Sequence, residues 1–241
     1  MSTLLNAGWQ AARCARSLAR RHLYPRVFPW VEMKGVRLHV SRELSPLIRE
    51  VLYAGLYELP ELEALERVLR PGDILMEMGT GLGLLATYAA KRLGNEAVFT
   101  YEANPLLASA ILDTFRVNGV QPRLELCAVG PRDGVTTFWV EEDFWDSSTH
   151  RKTSRSQAIQ VTVRGVEREL ARIQPTVLII DIEGGELELA PQLELSGVRA
   201  AIVELHPAII GAEGVRTVEN RFVQAGFRAE PIALHTLVFL R

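Results

Sequence analysis

A short apolar run, Ile74 to Met78, meets the turn Gly79-Thr80-Gly81-Leu82-Gly83 and then a small, apolar stretch, Leu84 to Lys91. No other feature constrains the chain as much. A nearly continuous apolar run suits a central parallel strand covered on both faces, and the stretch after the glycines reads as a helix. Pro71-Gly72-Asp73 separates this unit from an earlier helical pattern carried by Leu62, Leu65, Val68 and Leu69.

The same rhythm recurs at Ala97 to Glu102, followed by Asn104-Pro105 and a helical stretch that Asn118-Gly119 should stop. A third strand is expected over Leu124 to Ala128. Two alternating, β-branched runs, Thr136 to Val140 and Ile159 to Val163, bracket the polar segment Glu141 to Gln157, which reads as an inserted hairpin with a long tip. Val177 to Asp181 and Ala200 to Leu205 have the character of buried strands, while Phe227 to Pro231 and Leu237 to Leu240 fit a pair at the sheet's end. The expected fold is α/β: a doubly wound, mostly parallel Rossmann-like sheet with helices on both faces and an inserted β-hairpin. Residues 57–241 form the expected catalytic domain, with 135–165 as the hairpin or lid, and residues 1–56 a basic arm and leading segment.

Composition narrows the partners. A length of 241 residues fits one α/β domain, and the net charge of -2 gives the body of the protein no reason to seek nucleic acid. No apolar run approaches the ~20 residues that span a bilayer, and no signal-peptide core is present, so a cytoplasmic protein is expected. Cys14 and Cys127 have neither metal-ligand nor redox-pair spacing and read as reduced thiols. Arg13, Arg16, Arg20, Arg21 and Arg26 all precede the first acid, Glu32. With Leu4, Leu5, Trp9, Ala12 and Leu18 at near-helical spacing, this arm should dock on its own domain or on a second subunit of a homodimer. Peripheral contact with an anionic membrane is the weaker alternative.

In a doubly wound sheet, ligands collect beyond the carboxyl ends of the strands, here Glu77, Glu102, Ala128, Asp181 and Glu204. Gly79 and Gly81 allow close backbone approach to a ligand, and the following helix offers free amides. Glu102, about twenty residues past the turn, is placed to accept hydrogen bonds from ribose hydroxyls. A dinucleotide turn would carry its third glycine at Leu84, and a triphosphate loop would follow its last glycine with lysine and a hydroxyl. Neither pattern is present. Glu77 would attract a positively charged ligand and repel pyrophosphate. These residues point to an adenosine-bearing ligand without phosphate, which disfavours a nicotinamide-dependent oxidoreductase.

At these positions the chain resembles the FkbM family of S-adenosylmethionine-dependent methyltransferases, from about Tyr57 to Pro207. The likeness rests on Pro71-Gly72-Asp73, Glu77-Met78-Gly79 with Gly83, Glu102-Ala103-Asn104-Pro105, Asp181-Ile182-Glu183-Gly184-Gly185-Glu186 and Glu204-Leu205-His206-Pro207. Thr80-Gly81 stands where that family often has Ala-Asn, and Ile179 where it often has lysine. The resemblance implies S-adenosyl-L-methionine as cofactor, held by Glu77, Gly79, Thr80, Gly81, Gly83, Glu102, Ala103 and Ala128, and O-methylation of a small-molecule, sugar, natural-product or lipid hydroxyl.

Asp181, Glu183 and His206 are the expected catalytic residues, with Asp181 and His206 as competing bases. Glu186 reads equally well as a group complementing a helix N-terminus. Asp181, Glu183, Glu204 and His206 could instead gather round a divalent ion, but spacing does not show convergence and no metal is assigned. His150, with Asp143, Trp145 and Asp146, reads either as a group that recognises the acceptor or closes over it or, equally well, as part of an exposed loop. Tyr57 and Glu58 read either as a cover for the cofactor or, equally well, as a core tyrosine and a surface glutamate. A non-catalytic, cofactor-binding scaffold acting through the basic arm is the alternative from another class.

Overall fold

The computed structural model describes residues 27–141, 143, 147–151 and 153–241. The basic arm, Cys14, Trp145 and Asp146 lie outside them. Twelve strands and seven α-helices run along the described chain. A hairpin of β1 (Trp30–Met33) and β2 (Val36–His39) leads to α1 (Pro46–Ala54) and α2 (Leu59–Val68). The first βα unit is β3 (Leu75–Met78) with α3 (Leu84–Leu93), and the second is β4 (Val98–Tyr101) with α4 (Ala108–Asn118). Then come β5 (Arg123–Glu125), β6 (Ala128–Gly130), β7 (Gly134–Val140), β8 (Gln157–Gly165) and α5 (Val166–Ile173). The chain ends with β9 (Val177–Ile180), α6 (Glu186–Leu189), β10 (Ala200–Glu204), α7 (Pro207–Gln224), β11 (Arg228–Pro231) and β12 (Thr236–Leu240).

Seven strands form the central sheet in the order β11-β12-β10-β9-β3-β4-β5. Strands β10, β9, β3, β4 and β5 are parallel, and the β11–β12 hairpin adds antiparallel to β10. The chain moves outward from β3 to β5 and then returns to β9 on the other side of β3. That reversal opens a crevice beyond the carboxyl ends of β3 and β9.

Alternation along each strand sends successive residues to opposite helix layers. Leu75, Ile179, Ile202 and Val238 pack with Ile48, Leu62, Leu84, Tyr88 and Phe115 of α1 to α4. Met76, Leu178, Val203 and Phe239 pack with Leu170, Leu189 and Phe222 of α5 to α7. Residues 30–54, set outside the domain by the sequence reading, join the first layer through Val36, Leu38, Ile48 and Leu52. The Asn118-Gly119 stop forms as expected: Gly119 is left-handed, and the amides of Gly119 and Val120 close the helix on Arg116 and Phe115.

The third strand is shorter than expected. β5 ends at Glu125, and Ala128 belongs instead to a separate sheet of order β6-β8-β7, in which β7 and β8 form the inserted hairpin. A run of five apolar-leaning residues cannot reveal this change of sheet, because pairing partners, not local propensity, decide it. Among the described residues, no helix is long and apolar enough to cross a membrane.

Candidate active site

The carboxyl ends of β3 and β9 are locked together. The Asp181 amide donates to the Met78 carbonyl at 2.9 Å, and the Gly79 amide donates to the Tyr101 carbonyl at 2.9 Å. Gly79 has φ 96°, and a Cβ there would run into the Asp181 carbonyl oxygen. Gly81 has φ 55°, and its Cβ would meet the Tyr57 hydroxyl and Glu58 Oε1. Only glycine meets both demands. The third glycine serves packing: a Cβ on Gly83 would press on the Phe115 ring at 3.0 Å.

Glu102, just past β4, fastens the turn from the other side. Its Oε2 accepts from the amides of Thr80 at 3.2 Å and Gly81 at 3.0 Å, and its Oε1 accepts from Asn104 N at 2.8 Å. Burial lifts its carboxyl to about 7 against the pull of these amides. Across the turn the Tyr57 hydroxyl accepts from Leu82 N at 3.1 Å. Burial pushes the neighbouring Glu58 carboxyl well above the usual range, and Glu58 itself sits at φ 46°. A non-glycine residue held in that region is uncommon and concentrates at functional sites.

One open cavity of about 1180 Å³ runs from this turn across the crevice. It exceeds the ~1,000 Å³ that bounds ordinary single-ligand pockets and has room for a cofactor beside a second molecule. Gly79, Gly81, Glu102, Ala103 and Ala128 line it, as do Asp181, Glu183 and His206. Glu77, Thr80 and Gly83 are not among its lining residues. Glu77, in the middle of β3, is 1% exposed, and the hydroxyl of Thr100 donates to its Oε2. Thr80 Oγ1 in turn lies 2.5 Å from Thr100 Oγ1. Burial raises Glu77 to about 8 despite the Thr100 bond. The expected direct contact between Glu77 and a cationic ligand is therefore corrected: alternation points its side chain into the sheet's packing layer.

At the far end of the crevice, four carboxyls surround His206. Its Nδ1 is 2.8 Å from Glu186 Oε1, and its Nε2 is 3.3 Å from Glu183 Oε1, 3.8 Å from Asp181 Oδ1 and 4.0 Å from Glu204 Oε1. Burial works against a charged ring, but the bonds to Glu183 and Glu186 outweigh it and push His206 up to about 11. Paired with carboxylates in this way, the ring favours its protonated form. Asp181 is raised well above the carboxylate range by burial and by Glu204 and Glu183, and Glu204 is pushed up to about 7, chiefly by burial. Glu183 stands at φ 53°, a second strained position at the crevice.

The inserted hairpin contributes a wall. Thr136, Phe138, Thr149 and His150 line the cavity, and Trp139 pairs with Ser148 to hold the tip segment. Asp143 points away from that role and accepts from the Ser45 hydroxyl. Sequence reasoning gave no function to Glu61, Leu234 or His235, which also line the cavity. Leu234 and His235 lie in the β11–β12 turn, remote from every motif, and nothing in their local sequence announces them. Among the described residues, seven carboxylates face the cavity (Glu58, Glu61, Glu102, Asp181, Glu183, Glu188 and Glu204) against one guanidinium, Arg151.

The Methyltransferase FkbM domain family matches residues 77–229. The ribosomal protein L11 methyltransferase of Thermus thermophilus is 42% identical over 62 residues, which cover 26% of this chain and 24% of that protein. The protein of that name from Lactococcus lactis subsp. lactis is 32% identical over 74 residues, covering 31% and 23%. The chain thus spans about a quarter of the length of these curated relatives. Among solved structures, the ribosomal protein L11 methylase of Lactobacillus delbrueckii subsp. bulgaricus gives a TM-score of 0.43 at 16% identity, over 75% of this chain and 74% of that one. A methyltransferase from Pyrococcus furiosus gives 0.42 at 14% identity, over 95% and 98%.

Proposed function

This chain belongs to the FkbM methyltransferase family, and from that premise we propose that it transfers a methyl group from S-adenosylmethionine to a hydroxyl of a small acceptor. The acid-lined cavity joining the glycine turn to Asp181, Glu183 and His206 carries the reading. Carboxylates suit the sulfonium and ammonium groups of this cofactor, whereas pyrophosphate would meet almost no positive charge there. The same lining would repel the phosphates of a nucleic acid. Residues such as Gly79, Gly81, Ala103 and Ala128 leave the floor open, with Glu102 at the edge for ribose.

S-adenosylmethionine supplies a methyl carbon on positively charged sulfur, open to in-line attack by an oxygen. The protein's work is positioning and proton transfer. Glu183 and the His206 ring orient the acceptor hydroxyl, and Asp181, in its ionised form, takes its proton as the oxygen–carbon bond forms. The bound sulfonium would leave as a neutral thioether that keeps the bonding electron pair. The β7–β8 hairpin, through Phe138 and His150, walls the acceptor side, in keeping with a sugar, natural-product or lipid alcohol.

Calorimetry with S-adenosylmethionine and S-adenosylhomocysteine, followed by product assays on a library of alcohols, tests the proposal. Micromolar cofactor binding with methyl ether formation is expected. Cofactor binding with no turnover on any acceptor would favour the scaffold reading, and exclusive methylation of amines would remove the hydroxyl assignment.

A further inference from the structure

We propose that Asp181, Glu183 and His206 form a site for one divalent cation of the magnesium or manganese class. Asp181 and Glu183, in the loop after β9, converge with His206, which follows β10, and one donor atom from each lies within 4.8 Å of the others. Donor atoms on one ion at ~2.1 Å stand about 3.0–3.4 Å apart, so the 3.3 Å and 3.8 Å separations of Nε2 from the two carboxylates need only small side-chain adjustments. Two carboxylate oxygens with one imidazole form a donor set for hard or borderline ions, and the open cavity leaves further positions for water or acceptor.

Two further observations point to an ion rather than to a self-contained ion-pair cluster. Asp181 Oδ1 is a buried oxygen that no hydrogen-bond donor reaches among the described residues, and it faces Nε2 at 3.8 Å. A carboxylate oxygen left that way is costly unless something positive comes to it. The second is the fixing of the ring. Glu186 is 2% exposed, its Oε1 meets His206 Nδ1 at 2.8 Å, and the same oxygen takes the Gly184 amide at 3.0 Å. A buried carboxylate on Nδ1 is the arrangement that orients a metal-ligating imidazole through its other nitrogen. It leaves Nε2 as the atom presented to Asp181 and Glu183, and the incoming ion would displace the Nε2 proton to solvent.

Charge supports the same conclusion. Among the described residues, neither Asp181, Glu186 nor Glu204 has a lysine or arginine within ion-pair distance, and all three meet the single ring of His206. One cation at Nε2 would serve Asp181 and Glu183 directly and Glu204 from 4.0 Å. Asp181 would bind through its buried Oδ1, and its side chain stays 36% exposed. Any part the ion plays in catalysis rests on the methyl-transfer reading above; its binding does not.

Manganese is the probe. The full chain, freed of metal by chelation, is titrated with Mn²⁺ while free Mn²⁺ is followed by electron paramagnetic resonance, and Mg²⁺ is then added in competition. One Mn²⁺ per chain is expected, displaced by Mg²⁺, with at least about tenfold weaker binding in Asp181→Asn and in Glu183→Gln. Melting curves on both variants show that the fold is kept, and either folded variant suffices for the comparison. No binding by the natural chain at millimolar Mn²⁺, or binding unchanged in the folded variants, overturns the site. S-adenosylhomocysteine binding on the same samples reports separately on the cofactor reading, which can fail while the ion still binds.

Discussion

Gly79 is packed so closely on the Asp181 carbonyl that a methyl group on its Cα would overlap the oxygen, and this contact joins the cofactor turn to the acid cluster. Because Gly79 also needs φ 96°, Gly79→Ala should cost ~1–3 kcal/mol from the backbone alone and force β3 and β9 apart at their carboxyl ends. Loss of both S-adenosylhomocysteine binding and turnover is expected, with a lowered melting temperature. Unchanged cofactor affinity in calorimetry would show that the turn can shift without harm.

Glu102 and Asp181 should separate binding from chemistry. Glu102→Ala strips the acceptor from two amides of the turn, Thr80 and Gly81, and from that of Asn104, so cofactor affinity should fall by about tenfold or more. Asp181→Asn keeps the shape of the crevice and removes the proton acceptor, so affinity should stay within about threefold while turnover drops by ~10²-fold or more. Calorimetry paired with single-turnover rates checks both arms, and equal loss of binding in the two variants would refute the division of roles.

The buried carboxyl of Glu77 makes stability depend on pH. Folding raises it from an ordinary 4.5 to about 8, so the folded chain keeps a proton that the unfolded chain releases. That contribution is fully present below about 4.5 and is lost as pH rises toward 8. Glu77→Gln can still accept the Thr100 hydroxyl, and it should flatten the decline in melting temperature between pH 5 and 8. An identical slope in the two proteins would mean that Glu77 is ionised in the fold.

Asp73 works with the opposite sign. It accepts from Arg199 Nε at 2.9 Å, from the Thr176 hydroxyl at 2.8 Å and from the Arg70 amide at 2.6 Å, and it also pairs with Arg199 Nη2. Despite burial, these bonds hold its carboxyl below the ordinary 3.8, so its contribution is present above that value and is lost as pH falls through the folded pKa. Asp73→Asn should cost about 1–3 kcal/mol, below the fully buried range because Arg199 is 22% exposed, or roughly 3–10 °C in melting temperature. A change under one degree would show that Thr176 and the turn suffice without the charge.

Much of this protein was legible in the chain itself. Apolar runs of four or five residues, each ending in an acid or a glycine turn, determined the parallel strands and the crevice, because a strand covered on both faces must be apolar along its length. The spacing of Gly79, Gly81 and Glu102 marked the turn and its acid, and Asp181, Glu183 and His206 were legible as strand-end groups of the right chemistry. The tertiary structure decided the rest. It placed Ala128 in a second sheet, since pairing partners choose between two similar strands, and it turned Glu77 inward, since pleat alternation depends on register. It gathered Glu186 and Glu204 with Asp181 and Glu183 round one imidazole, which fixed that ring's proton. Electrostatic coupling depends on distances of a few ångströms between residues far apart in sequence, and only the folded chain sets them.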